Sequence, residues 1–245
     1  MPSRKDHEVF NPPKNPNIKI WRYMDFTKYV SMLSTSSLYF SRADQFDDPY
    51  EGATSHANLN LRDEVYSDMP NKKILNDLSR FAEWVRQWTY VNCWHMNNYE
   101  SAAMWKLYSK TDEAITIQST YNKLSDLLPY STYVGTVKYI DYEKDWMPEG
   151  NTFYPFVHKR KSFEHENELR VVTQDLPTDD NGIKVGKPNS EMGKHISIDI
   201  EKLIEKVFIS PDAPTWFPTL VQKVTKQFNK EIVIQQSLLG KEPIF

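Results

Sequence analysis

The chain has 245 residues, 39% hydrophobic and 26% charged, an ordinary globular composition long enough to bury one sizeable core. Its net charge of −3 and pI near 6.1 give no global positive field for nucleic-acid phosphates, which leaves such a partner only a local basic patch. One cysteine, Cys93, excludes an intramolecular disulfide and a multi-thiolate zinc site and fits a reducing cytoplasm, and no apolar run reaches the roughly 18 residues of a membrane helix.

Residues 1–17 carry Pro2, Pro12, Pro13 and Pro16 and read as an extended arm before a single domain over 18–245. Residues 18–23 alternate apolar and polar side chains as a first strand, and Asp25 is placed to cap a helix to about Leu33. Residues 38–41 form a second strand, followed by a polar stretch to about residue 70. From Asn71 to Tyr90, the apolar positions Ile74, Leu75, Leu78, Phe81, Trp84, Val85 and Trp88 keep helical spacing. Residues 90–94 read as a buried strand, 102–108 as a short helix, and 113–117, 132–142 and 169–173 as strands. The tail reads strand (195–200), short helix, strand (207–210), helix (215–228) and strand (232–236).

This order lacks regular βαβ alternation and predicts a single α+β domain with a mixed or split β-sheet flanked by helices. With seven glycines and neither a dinucleotide fingerprint nor a phosphate-cradling loop, the sequence speaks against Rossmann and P-loop folds.

Five groups of residues carry candidate chemistry. Arg22 and Tyr23 end the first strand, where a guanidinium fork suits a phosphate or carboxylate and the ring offers a stacking face. The segment 38–52, LYFSRADQFDDPYEG, ends a strand at Ser41 and turns through Asp47, Asp48 and Pro49. Its acids Asp44, Asp47, Asp48 and Glu51 lack the regular spacing and internal glycine of a calcium loop, so the segment reads as a structural or ligand-orienting turn and no metal ligand is assigned. Cys93 and His95 share a strand face but point the same way, which favours packing over a nucleophile–base pair. In the 102–108 helix Met104, Trp105 and Tyr108 share one face, with the Tyr108 hydroxyl its polar tip. In an extended run Glu164, Glu166 and Glu168 project to one side among Lys159, Lys161 and Arg170, either as a salt-bridged edge or as a catalytic carboxylate with its partners.

Taken in order, the W-R-Y-x-D of 21–25, LYFSxxxxFDDPYEG, the NCW…MWKLY block, EAITIQ and SFEHENELRVV resemble the bacterial domain of unknown function 2971 family over about residues 20–237. This sequence departs from that pattern with Asp47 in place of the usual asparagine and with His95 and Met96 after the Cys–aromatic pair. A second similarity is to ADP-ribosyltransferase-like folds, where Arg22, Ser41 and Glu168 match the order of the residues that surround NAD. That resemblance implies Arg22, Ser41 and Glu168 as catalytic residues and NAD as the cofactor. It also implies a cofactor-binding set of Tyr23, Tyr39, Phe46, Asp48, Glu51, Trp105, Tyr108 and Arg170. Two other functions stay open: a non-enzymatic ligand- or protein-binding module in a stress or phage-defence setting, and a metal-dependent nuclease or hydrolase built on Asp47, Asp48, Glu51 and the 164–168 glutamates. The target, macromolecular or small, is not named by the sequence, and no membrane partner is expected.

Overall fold

β1 (Lys19–Asp25) sends Ile20 and Met24 to one side and Trp21 and Tyr23 to the other, all four buried, so a hydrophobic layer lies against each face of the sheet it belongs to. The computed structural model describes residues 3, 6–68, 73–180, 182–228, 230–241 and 243, without the side chains of 73–76. Pro2, Asn71, the side chains of Ile74 and Leu75, and Asn181 therefore lie outside the described residues. After β1 come α1 (Phe26–Thr35), β2 (Ser37–Arg42), α2 (His56–Val65), α3 (Lys73–Arg86), β3 (Thr89–Met96), α4 (Ala102–Tyr108), β4 (Ala114–Thr120) and α5 (Tyr121–Leu127). The second half holds β5 (Tyr133–Thr136), β6 (Lys138–Ile140), β7 (His158–Arg160), β8 (Glu168–Gln174), β9 (Thr178–Asp179), β10 (Gly182–Ile183), β11 (Gly193–Ser197), α6 (Ile200–Leu203), β12 (Lys206–Ile209), α7 (Phe217–Gln227) and β13 (Ile234–Gln236).

Nine of the described strands form one mixed sheet in the order β11-β2-β3-β1-β4-β12-β13, with β8 also on β3 and β5 beyond β8. Only β12 and β13 run parallel within it. This is a single α+β domain. Its main core lies on the Ile20 face, where Tyr29, Leu33, Leu124, Leu203, Phe217 and Val221 from the four helices α1, α5, α6 and α7 meet Leu38, Phe40, Trp94 and Val171 of the sheet. The other face carries the Trp21, Tyr23, Met104 and Trp105 cluster and, further along, a layer of Trp84, Val85, Val91 and Phe156.

The sheet divides along β3. One edge of β3 pairs with β8 from Thr89 to His95, but the opposite edge is shared: Tyr90 and Val91 pair with β2, while His95 and Met96 pair with β1. Asn92, Cys93 and Trp94 are therefore left between two diverging strands. α1 joins the end of β1 to the start of β2, the parts of the two strands that do not pair with β3. Backbone carbonyls at such an interior gap need donors. Asn92 Nδ2 donates to the Tyr39 carbonyl at 2.8 Å, and Arg22 donates to the carbonyls of Cys93 and Tyr39 at 3.1 and 3.4 Å.

Four local expectations are corrected. The polar stretch after residue 52 contains α2, capped by Ser55; its inward side chains Asn58 and Arg62 bond to Met147 backbone and to Glu149, so it has no apolar stripe to read. Asp25 stands at the N-cap of α1 without a side-chain cap and instead accepts from the Lys110 amide at 3.1 Å. The 132–142 run divides at Val137 into β5 and β6, which belong to different sheets. The 161–166 segment is a 3-10 turn closed by Asn167 at φ 40°, not an extended strand, so Glu164 is exposed and only Glu168 stands on β8. The described part of residues 1–17 lies against the body: Val9 and Phe10 are buried, and Phe10 stacks on Tyr133 with ring centroids 5.2 Å apart.

Candidate functional site

A cleft of about 650 Å³ opens at the fork, within the range of small-ligand sites. Register decides which side chains face it. Trp21, His95 and Glu168 lie opposite one another across β1, β3 and β8, Cys93 lies opposite Arg170, and Val91 lies between Ser41 and Val172, so all of these share one side of the sheet. Arg22 belongs to the other side of β1, and its guanidinium reaches the cleft through the gap in the fork.

Of the residues expected at a ligand, Arg22, Ser41, Glu168, Tyr23, Tyr39, Phe46 and Tyr108 all line this cleft. Arg22 pairs with no carboxylate among the described residues; it donates to two backbone carbonyls, and burial lowers its pKa, although a guanidinium stays charged. A charge so placed is stabilised by any anion that enters. Ser41 Oγ has no hydrogen-bond partner among the described residues, and the Tyr23 hydroxyl accepts from the Ser101 amide at 2.8 Å.

Asp48, Glu51, Trp105 and Arg170 do not line the cleft, contrary to expectation. Trp105 stands behind Tyr23, ring edge to ring face at 5.0 Å, and donates to Glu100. Asp48 accepts the Tyr50 amide and the Arg160 guanidinium, which fixes the turn. Glu51 and Arg170 belong to a buried ion-pair network beneath Glu168. One Arg170 nitrogen donates to Glu51 at 2.7 Å and to Glu168 at 2.9 Å, while the other donates to the Phe156 carbonyl at 3.0 Å. Lys159 reaches Glu166 at 2.5 Å, Glu168 at 3.3 Å and Glu51 at 3.4 Å.

The network sets the protonation states. Burial would raise Glu168, but Arg170 and Lys159 outweigh it and hold the carboxyl below the usual glutamate range. Burial and the Glu168 charge raise Glu166, and burial with the charges of Glu166 and Glu168 pushes the Tyr108 hydroxyl far up. Cys93 is raised by burial and then by Glu168, so its thiol is no nucleophile at neutral pH. Three of the four acids of the 44–51 turn are likewise taken by cations, Asp44 by Arg42, Asp48 by Arg160 and Glu51 by Arg170, while Asp47 lines the cleft. No group of three or more described residues of the ligand types could hold a metal ion.

Gly52 lets Glu51 descend to Arg170. It sits at φ +69°, and a Cβ there would collide with the Phe156 ring. Gly52→Ala is expected to cost about 2–4 kcal/mol from the left-handed backbone and the overpacking together, read as a shift of the urea midpoint. A variant as stable as the parent would show that the turn relaxes freely.

No protein-family profile and no curated protein matches this sequence. Among solved structures, Thermus sp. 2.9 DarT in complex with NAD+ aligns at 9% identity and a TM-score of 0.41, covering 95% of this chain and 100% of that one. The same organism's DarT in complex with carba-NAD+ aligns at 10% identity and 0.40, covering 92% and 96%. At these values no residue role carries across. Among the described residues, no helix is long and apolar enough to cross a membrane.

Proposed function

We propose that this protein is an NAD-using, ADP-ribosyltransferase-like enzyme that transfers ADP-ribose to a macromolecular acceptor. The observation that carries the reading is Arg22: a guanidinium without a carboxylate partner, at the base of a ring-lined cleft that also holds the ionised Glu168. In this reading the guanidinium takes the pyrophosphate of NAD, since a planar fork suits two phosphate oxygens. Tyr39 or Phe46 supplies a stacking face for the nicotinamide, and Ser41 a hydroxyl on the same wall. Glu168 faces the positive charge that develops on the ribose as nicotinamide departs, and a buried, pre-ionised carboxylate stabilises it without solvent reorganisation.

The test is incubation with labelled NAD, with and without cell macromolecules, scored for binding and nicotinamide release. Absence of both ends the reading. Arg22→Leu is expected to weaken NAD binding by roughly 10- to 100-fold, the worth of lost charge-assisted hydrogen bonds, with Arg22→Lys intermediate. Unchanged affinity in Arg22→Leu would move the phosphate site elsewhere.

A second reading, a non-enzymatic nucleotide-binding module, draws on the same network: the Glu168 carboxylate is already engaged by Arg170 and Lys159. NAD binding without nicotinamide release is its signature.

A further inference from the structure

His95 is 6% exposed and lines the cleft on β3, directly opposite Glu168 in the β3–β8 ladder. Its Nδ1 lies 2.6 Å from the backbone carbonyl of Glu166. A carbonyl only accepts, so Nδ1 carries the proton, and in the neutral ring Nε2 holds a lone pair. That Nε2 is buried and has no hydrogen-bond partner among the described residues. An orphaned acceptor of this kind costs about 1–3 kcal/mol, and the Nδ1 bond to the Glu166 carbonyl accounts for only one of the two ring nitrogens. Burial keeps the ring neutral by lowering its pKa, with His165 acting in the same direction and the Glu166 carbonyl opposing. The other ionisable groups on this side of the sheet include Tyr23, Tyr39, Cys93, Glu168, Arg170 and His195, with Lys159, Glu166 and Tyr108 in the layer above.

We propose that His95 is the general base of this site and that the acceptor is a nucleophile carrying a proton, a hydroxyl or a water, and not a carboxylate. The inference rests on the NAD reading and deepens it. A carboxylate acceptor brings no proton to remove and would meet the Nε2 lone pair with its own. A hydroxyl donates to that lone pair and satisfies it. As the bond between ribose C1′ and the nicotinamide nitrogen breaks, its electron pair goes to the ring and neutralises the pyridinium charge. The acceptor oxygen bonds to C1′, its proton passes to Nε2, and the imidazolium so formed stands across the ladder from Glu168.

His95→Asn is the informative variant, because its amide N–H can still donate to the Glu166 carbonyl while no atom occupies the Nε2 position. Melting temperature and NAD affinity are expected to stay close to the parent's, while nicotinamide release falls roughly 10²- to 10⁴-fold, the usual worth of a general base. The parent's rate falls on the acid side as His95 takes up a proton, below the ordinary histidine range, and this limb disappears in His95→Asn. Imidazole is expected to restore part of the rate to His95→Ala. Parent-like turnover in a folded His95→Asn overturns the proposal, as does modification of the acceptor at a carboxylate. NAD binding by the parent with no nicotinamide release overturns the base while leaving the binding site standing, whereas no NAD binding removes both.

Discussion

Arg170→Met is expected to destabilise the protein by about 3–5 kcal/mol, the cost of removing one partner from a buried charge network. Arg170 is 1% exposed and is the closer of the two cations, with Lys159, that bridge Glu51, delivered by the 46–52 turn, and Glu168 on β8. Without it two carboxylates at 4% exposure share Lys159, and the Phe156 carbonyl loses its donor. The pH dependence is expected to change as well. Glu168 titrates below its unfolded value in the parent, so its contribution is fully present above the unfolded pKa and is lost as pH falls through the folded one. Glu166, raised by burial, has the opposite sign and partly offsets this loss in acid. In Arg170→Met the main cation holding Glu168 down is gone, so acid unfolding should begin at higher pH than in the parent. Urea melts across pH 3–7 test both statements; a loss under about 1 kcal/mol at neutral pH would mean that the network is solvated enough to do without its bridge.

Glu168→Gln is expected to lower nicotinamide release by roughly 10²- to 10³-fold, the effect of removing one electrostatic stabiliser from a preorganised site. The substitution is isosteric and leaves Arg170 with Glu51 and Lys159 with Glu166, so it perturbs the fold less than the loss of Arg170. NAD affinity should change only a few-fold, because a charge matched to the transition state contributes little to the ground state. A folded Glu168→Gln variant with undiminished turnover would end the catalytic role of this carboxylate and favour the binding-module reading.

Legibility of these features in the sequence followed the range of the interaction behind them. The short helix 102–108 and the strand order of the tail rest on local periodicity, and both appear as read. α2 escaped because it buries Asn58 and Arg62 against residues some 90 positions away, as in the Asn58 to Met147 hydrogen bond over 89 residues. The convergence of Arg22, Ser41 and Glu168 followed the order of residue types, but the fork that lets Arg22 cross to the cleft depends on β3 changing partners midway, which no local pattern encodes. Glu51 and Arg170 are expected among the cofactor contacts; only the 119-residue contact between them shows that each neutralises the other. The strand reading places His95 on one face with Cys93 and the family pattern marks it as a departure, but neither shows that its Nε2 is left without a partner among the described residues.

A sheet that divides along one strand acquires two interior edges, and here the seam between them is held by Asn92 and by the same guanidinium that the cleft offers to a ligand. Occupancy of the cleft and breathing of the seam are therefore two views of one linked equilibrium: an anion that anchors Arg22 tightens or loosens its hold on the Cys93 and Tyr39 carbonyls. Amide hydrogen exchange along residues 39–41 and 91–95 would then report ligand arrival without any reaction taking place, and candidate ligands can be ranked by how far they slow or speed it.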